Sequence, residues 1–321
     1  MKQIASIFYN YQEERVRALW RILLHIVIMG AITGILSLPF IINENMNGLG
    51  IATIIMMIGV TAATLIAGLL LDKRKFIDFG FKINSDWLKD LIFGFILGGV
   101  LMLLVFLSQL WTGQISVESA NFSLSSLWPL SIGFGIFMLV GFYEELLSRG
   151  YHLINITEGI YHSSIGIQFA VYFAVIISSS VFGIGHLGNP GATWVSTVNI
   201  ILAGILLAVG MVFTKQLGLS IGLHISWNFF QGNVFGFAVS GTTVNFSLIN
   251  IRTTGNDLFT GGAFGPEAGL VGVFAMLIGI AAILIYIKAR YMRLDLNIWM
   301  ENITNRANKT VEPEHNSGIL S

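Results

Sequence analysis

Cysteine is absent from the 321 residues, and charge is scarce. Without a thiol the chain can form no disulfide, no thiolate nucleophile and no cysteine-ligated metal site. Asp, Glu, Lys and Arg make up 11% of the residues, against roughly 25% in a soluble globular chain. Seventeen basic residues balance seventeen acidic ones, so no net field argues for nucleic acid or a strongly charged partner. The chain also lacks an H-E-x-x-H zinc signature, and Ser178, Ser179 and Ser180 sit without a nucleophile elbow. No internal repeat and no soluble domain is visible.

What is abundant is apolar sequence, 55% of the chain. Runs of about 20 residues recur along it, each able to cross a hydrocarbon core about 30 Å thick. The fold class expected is all-α, a polytopic transmembrane helical bundle of about eight spans. These lie near 22–42, 50–71, 91–111, 127–148, 165–186, 194–214, 217–237 and 268–289. Helices are the choice because a lone segment in lipid must satisfy its own backbone, and nothing alternates as a barrel strand would. Residues 1–21 read as a polar cytoplasmic leader without a small-residue cleavage site, so the first run is expected to be retained. Residues 22–290 form the membrane domain, and 291–321 a polar cytoplasmic tail expected to be disordered.

Orientation follows from the basic residues. Sixteen of the seventeen fall on one side of an eight-span arrangement with both termini cytoplasmic; only Arg252 falls opposite. The connection 72–90 mixes lysines with Phe76, Phe79, Phe81 and Trp87, and reads either as a membrane-surface segment or as an ordinary loop. The glycine- and threonine-rich stretch 238–267 reads as a long outer loop or as a tight, folded lid.

Ionisable residues inside spans are costly and tend to be functional or paired. The candidates are Glu144, Glu145, Arg149, His186 and His224, with Asn228 as a neutral partner. His25 is expected to be a packed or interfacial histidine, and no role is assigned to His152, His162 or His315. Adjacent residues on a helix point about 100° apart, so Glu144 and Glu145 cannot both face one site squarely. Glu145 and Arg149 are four apart in the order that favours an ion pair. That spacing leaves Glu144 free on a face with Gly141 and Ser148, small residues that leave room for water or a peptide; the opposite assignment stays open on spacing alone. Phe182 and His186 share one helix face, as do His224 and Asn228. Each polar residue alone has a structural reading, a hydrogen bond to a neighbouring helix. Together they form the equipment for hydrolysis: a desolvated carboxylate that takes a proton from water, and donors for the oxyanion at an attacked carbonyl. Zinc held by a Glu and two His is the alternative chemistry, weakened by Asn, a poor zinc ligand.

The ordered trio Glu144-Glu145-x-x-x-Arg149, Phe182-x-x-x-His186 and His224-x-x-x-Asn228 resembles the CAAX protease and bacteriocin-processing (CPBP, or Abi) family, which includes the Ras-converting CAAX endopeptidases. The TGGAFGPE stretch also resembles what bacterial members carry before their last span. The resemblance implies a glutamate-dependent intramembrane endopeptidase with no required metal and no cofactor. Glu144 would activate the water with His186 near it. His224 and Asn228 would stabilise the oxyanion, and Glu145 and Arg149 would support the site. It implies a multi-pass protein of a bacterial plasma membrane, whose partners are membrane lipids and a peptide or protein substrate. No prenyl-binding feature is present, so a prenylated substrate is not carried over. Two other readings use the same residues. One is a non-catalytic binding or bacteriocin-immunity protein on this scaffold. The other is a proton-coupled transporter, for which paired inverted repeats are lacking.

Helix arithmetic raises one tension. Glu144 and His186 reach similar depth if helix four continues about 14 residues past Glu144 and helix five climbs back. His224, only about seven residues into its span, would then sit roughly 10 Å from the cytoplasmic side, well below His186. A short, tilted or broken helix five or six is the expected remedy, with LGNPG after His186 supplying the breakers.

Overall fold

The computed structural model describes residues 2–42, 48–296 and 298–300; most of the expected tail, His315 included, lies outside them. After a short helix (Lys2–Phe8) and a two-stranded pair, β1 (Tyr9–Asn10) and β2 (Arg15–Val16), the chain enters the bundle. Helix α1 is Ala18–Ile42, and α2 is Leu49–Ala67 prolonged by a π turn, Gly68–Asp72. Helix α3 is Ser85–Trp111. Helix α4 begins as Leu127–Glu145 and continues through a π turn, Leu146–His152, into Leu153–Ile160. Helices α5 (Ile167–Gly185) and α6 (Trp194–Thr214) follow. Helix α7 (Gly218–Phe229) is prolonged by a π turn, Phe230–Val234, and α8 is Leu270–Tyr291.

Among the described residues, seven helices are long and apolar enough to cross a membrane. The stretch 217–237, expected as a span, gives the 12-residue α7 prolonged by its five-residue π turn, and α3, α4 and α6 enclose it. Span four, expected to end at residue 148, runs on to Ile160. Arg149 is therefore a buried mid-helix residue and not part of a basic connection.

Helix α7 can be enclosed because its contact with α3 is made by backbone. Gly94 and Gly98 of α3 lie against Leu219, Leu223 and Trp227 of α7, while Gly218 and Gly222 of α7 lie against Trp87, Leu91 and Phe95 of α3, so the two helices run parallel. A Cβ at Gly222 would stand 2.0 Å from Leu91 O, and one at Gly94 2.2 Å from Leu219 O. Small residues four apart allow this approach, and dispersion between the touching backbones supports it.

The two ends of the bundle differ. At one, Arg15, Arg21 and Arg74 pair with Glu158, Arg21 also with Asp72 (2.8 Å), and Arg290 with Asp86 (2.6 Å). Lys215 lies over the Trp299 ring there. At the other end β3 (Ile115–Ala120) pairs antiparallel with β4 (Ile249–Thr253), and Arg252 meets Glu118 at 2.9 Å.

The depth tension resolves without a broken helix. Helices α5 and α6 are unbroken, and LGNPG lies in the turn between them. What differs is the level of the α6–α7 turn. Leu217 N donates to Gly80 O at 3.0 Å. Gly80 holds φ +97°, open to glycine, and a Cβ there would strike Leu217 Cγ at 2.7 Å. Gly150 of α4 approaches the same Leu217. The turn thus stands level with Gly150, about 15 Å short of Ile160 by helix rise. Counting from that level, Glu144 is six residues up α4 and His224 seven up α7.

Candidate active site

Glu145 and Arg149 form the buried pair expected from their spacing, Nη1 to Oε1 at 2.8 Å. Both side chains are sealed, at 0% and 1% exposure, whereas that of Glu144 is 20% exposed. Arg149 reaches further than its own helix: Nη2 donates to Gly204 O of α6 at 2.9 Å, and the guanidinium lies 4.5 Å from the centre of the Phe182 ring on α5. It thereby ties three helices together just below the site. The π turn at Leu146–His152 gives the helix this position, and such turns recur at functional sites.

His224 stands between the two glutamates. Its Nδ1 is 2.8 Å from Glu145 Oε1, and its Nε2 is 3.7 Å from Glu144 Oε2. A carboxylate only accepts, so Nδ1 carries a proton and donates it to Glu145. Nε2 is left to Glu144 and the cavity. His186 ends α5, with Nδ1 2.8 Å from Phe182 O. A carbonyl likewise only accepts, so Nδ1 is protonated and Nε2 is the atom available for chemistry. The Phe182 ring joins the two histidines, 4.7 Å from His186 and edge-on at 6.2 Å to His224.

Glu144, His186, His224 and Asn228 all line one cavity of about 310 Å³. Tyr143 Oη donates to Glu144 Oε1 at 3.3 Å. Gly141 serves a different purpose from the one expected. A Cβ there would meet Ile225 Cγ1 at 2.7 Å, so it admits α7 and leaves no room for water or peptide. Ser148, expected on the same face, is buried in the π turn and does not line the cavity.

One residue of the cavity was not singled out from the sequence. Glu267, in the stretch before α8, is 3% exposed and lines the cavity with His186. Its carboxylate accepts from Ser240 N and Ser240 Oγ, each at 3.2 Å. Burial pushes the Glu267 carboxyl above its ordinary value, while hydrogen bonds from Gln231 and Ser240, and the nearby His186, pull it partly back. The signals were an acid inside a glycine-rich loop next to an apolar run and the resemblance of the TGGAFGPE stretch that it ends. That loop is folded against the site: Gly241 N donates to Phe264 O at 2.7 Å, and Asn189 Nδ2 to Ser240 O at 2.8 Å.

His25 and His152 are buried and do not line the cavity. His25 stacks on Tyr151 with centroids 3.9 Å apart and lies 3.1 Å from Thr64 Oγ1. His152 is buried beside them. Among the described residues, no group of three or more His, Cys, Asp or Glu is arranged to hold a metal ion.

Residues 126–230 match the family model described as type II CAAX prenyl endopeptidase Rce1-like. The match begins at the start of α4 and ends at the close of α7, and so includes all three motifs. No curated protein and no solved structure shows significant similarity to the chain.

Proposed function

From the premise that this multi-pass membrane chain belongs, through its 126–230 domain, to the CPBP family of CAAX proteases, we propose that it hydrolyses peptide bonds inside the membrane with water activated by Glu144. The observation that carries the reading is the unequal exposure of the adjacent glutamates. Glu145 is neutralised by Arg149, and Glu144 reaches the cavity beside two histidines.

In this reading Glu144 takes a proton from water, and the hydroxide attacks the carbonyl carbon. His224 Nε2 and Asn228 Nδ2 donate to the oxyanion. Donation by His224 requires a proton on Nε2 besides the one that Nδ1 gives to Glu145; Glu144 at 3.7 Å is placed to pass it the proton taken from water and to take it back as the intermediate collapses. The proton held by Glu144 returns to the leaving amine, with His186 Nε2 as the neighbouring carrier. Glu145, Arg149 and Phe182 position the two histidines. We read 22–290 as the membrane domain, the arginine-rich end as cytoplasmic, and the location as a bacterial plasma membrane.

The test is cleavage of a candidate peptide by purified protein, comparing the wild type with Glu144→Ala and His224→Ala, with and without chelator. Loss in both variants with chelator-resistant wild-type activity is the expected result. Cleavage surviving Glu144→Ala would overturn the mechanism, chelator sensitivity would bring zinc back, and a wild type that binds peptide without cutting it would favour the immunity-type reading.

A further inference from the structure

The cavity is closed toward the arginine-rich end. Beneath Glu144 the packing is continuous: Glu145, Arg149 and Leu146 are sealed, and below them Leu217 docks on Gly80 with Gly150 against it. The residues lining the cavity come instead from the opposite half of the bundle, from the start of α2, the middle of α4, the end of α5 and the loop at Val239–Val244.

Its open side is also lateral. Helix α5 packs along α4 through Leu146–Ile160 and parts from it above Glu145. Leu49 of α2, at 44% exposure, and the exposed Gly185 of α5 stand on the two rims. Beside them Ile54, Ile58, Val181 and Ile184 are exposed and apolar, the surface that lipid chains cover. Just inside the rim the lining turns polar, with Asn189, Ser240 and Thr242. A peptide in lipid keeps its backbone hydrogen bonds within a helix, and its carbonyls are then shielded from attack. A polar rim at an apolar opening supplies the partners an unwound backbone needs.

We propose that substrate enters sideways between α2 and α5, in the half of the membrane away from the arginine-rich end. The substrate is thus a membrane-associated peptide segment, unwound to an extended form, that lies in the extracytoplasmic half of the bilayer. A chain end presented at the cytoplasmic face would meet the sealed side. This inference rests on the endopeptidase reading and on the arginine-rich end facing the cytoplasm.

The natural absence of cysteine makes the test clean. Single-cysteine variants Thr242→Cys and Leu49→Cys report the mouth, and Lys82→Cys, at an exposed position, reports the arginine-rich end. In intact cells a membrane-impermeant maleimide should label Thr242→Cys at least about tenfold faster than Lys82→Cys, with Lys82→Cys reacting only after permeabilisation. Leu49→Cys supplies the same reading should Thr242→Cys fail to accumulate. Mouth cysteines that react only from the cytoplasmic side, or from neither side, overturn the proposal. A quenched peptide carrying an apolar helical segment, added outside sealed vesicles of known sidedness, should be cut by the wild type and not by Glu144→Ala. Outside labelling without cleavage leaves the access route standing and sinks the protease reading. Cleavage confined to peptide on the arginine-rich side sinks the access route alone.

Discussion

At the arginine-rich end three arginines, Arg15, Arg21 and Arg74, surround Asp72 and Glu158, whereas beside the cavity two adjacent glutamates have one arginine, which pairs with Glu145. Both clusters are buried, and both carry the cost of taking charges out of water. In the first, each carboxylate meets arginine, and Tyr151 Oη adds a hydrogen bond to Asp72 at 2.8 Å. Asp72 is fully buried and does not line the cavity that Glu144 faces. In the second, Arg149 is used up on Glu145, and the remaining glutamate faces open space. The lesson is that buried charge alone does not mark a catalytic centre. In the proposed reading, a deficit of counter-charge beside a cavity does.

The comparison can be broken from either side. The largest effect expected is on the rate: Glu144→Gln should lower peptide cleavage by about 10²- to 10⁴-fold, the range for removing a general base. Its melting temperature should stay at or above that of the wild type, since a partly buried carboxylate with no arginine partner is removed; the pair of measurements, initial rates and a thermal melt in detergent, checks this. A large drop in melting temperature would mean that Glu144 is structural after all. Glu158→Ala should do the reverse. Stripping the shared carboxylate from three arginines is expected to cost about 3–5 kcal/mol in stability, with cleavage per folded molecule retained.

A smaller effect tests how the second cluster is held. Gly222→Val pushes a side chain into Leu91 O of α3 and should displace the helix that carries His224. Overpacking of this kind costs about 1–3 kcal/mol, and here it should reduce cleavage as well, while Gly99→Val on α3, whose nearest neighbour is the Phe230 ring, should be milder. The smallest effect concerns Glu267. Its folded carboxyl titrates above the ordinary value of 4.5, so above that pH the folded chain holds a proton that the unfolded chain has released. Stability from this group is therefore lost as pH rises through that window. Glu267→Gln should flatten the pH dependence of the melting temperature, by about 2–4 °C for each kcal/mol involved. A variant whose curve matches the wild type at every pH would remove Glu267 from the account.

Much of this was readable from spacing. Glu145 with Arg149, Phe182 with His186, and His224 with Asn228 are four-residue pairs, and four residues on a helix share a face wherever the helix goes. The number of apolar runs anticipated the bundle; what composition did not say of the run 217–237 is that glycine contacts enclose it among its neighbours. Gly141 misled for the same reason. A small residue beside an acid looks like room for substrate until the neighbouring helix is seen to occupy it. The four glycines of α3 and α7 carried a legible signal, two small residues four apart on each helix, which went unused because spacing does not say which helices touch.

The sequence by itself determined the class of the molecule and the facing of its polar groups along each helix, because a helix advances 1.5 Å and 100° per residue whatever surrounds it. It did not determine heights between helices. That His224 meets Glu145 was decided by a turn docked on Gly80, a long-range contact that no local periodicity encodes. The same holds for Glu267, which reaches the cavity through the folding of a loop distant in sequence from the three motifs. Local geometry is written residue by residue; the offset between helices arises only when the turns find the surfaces they rest on.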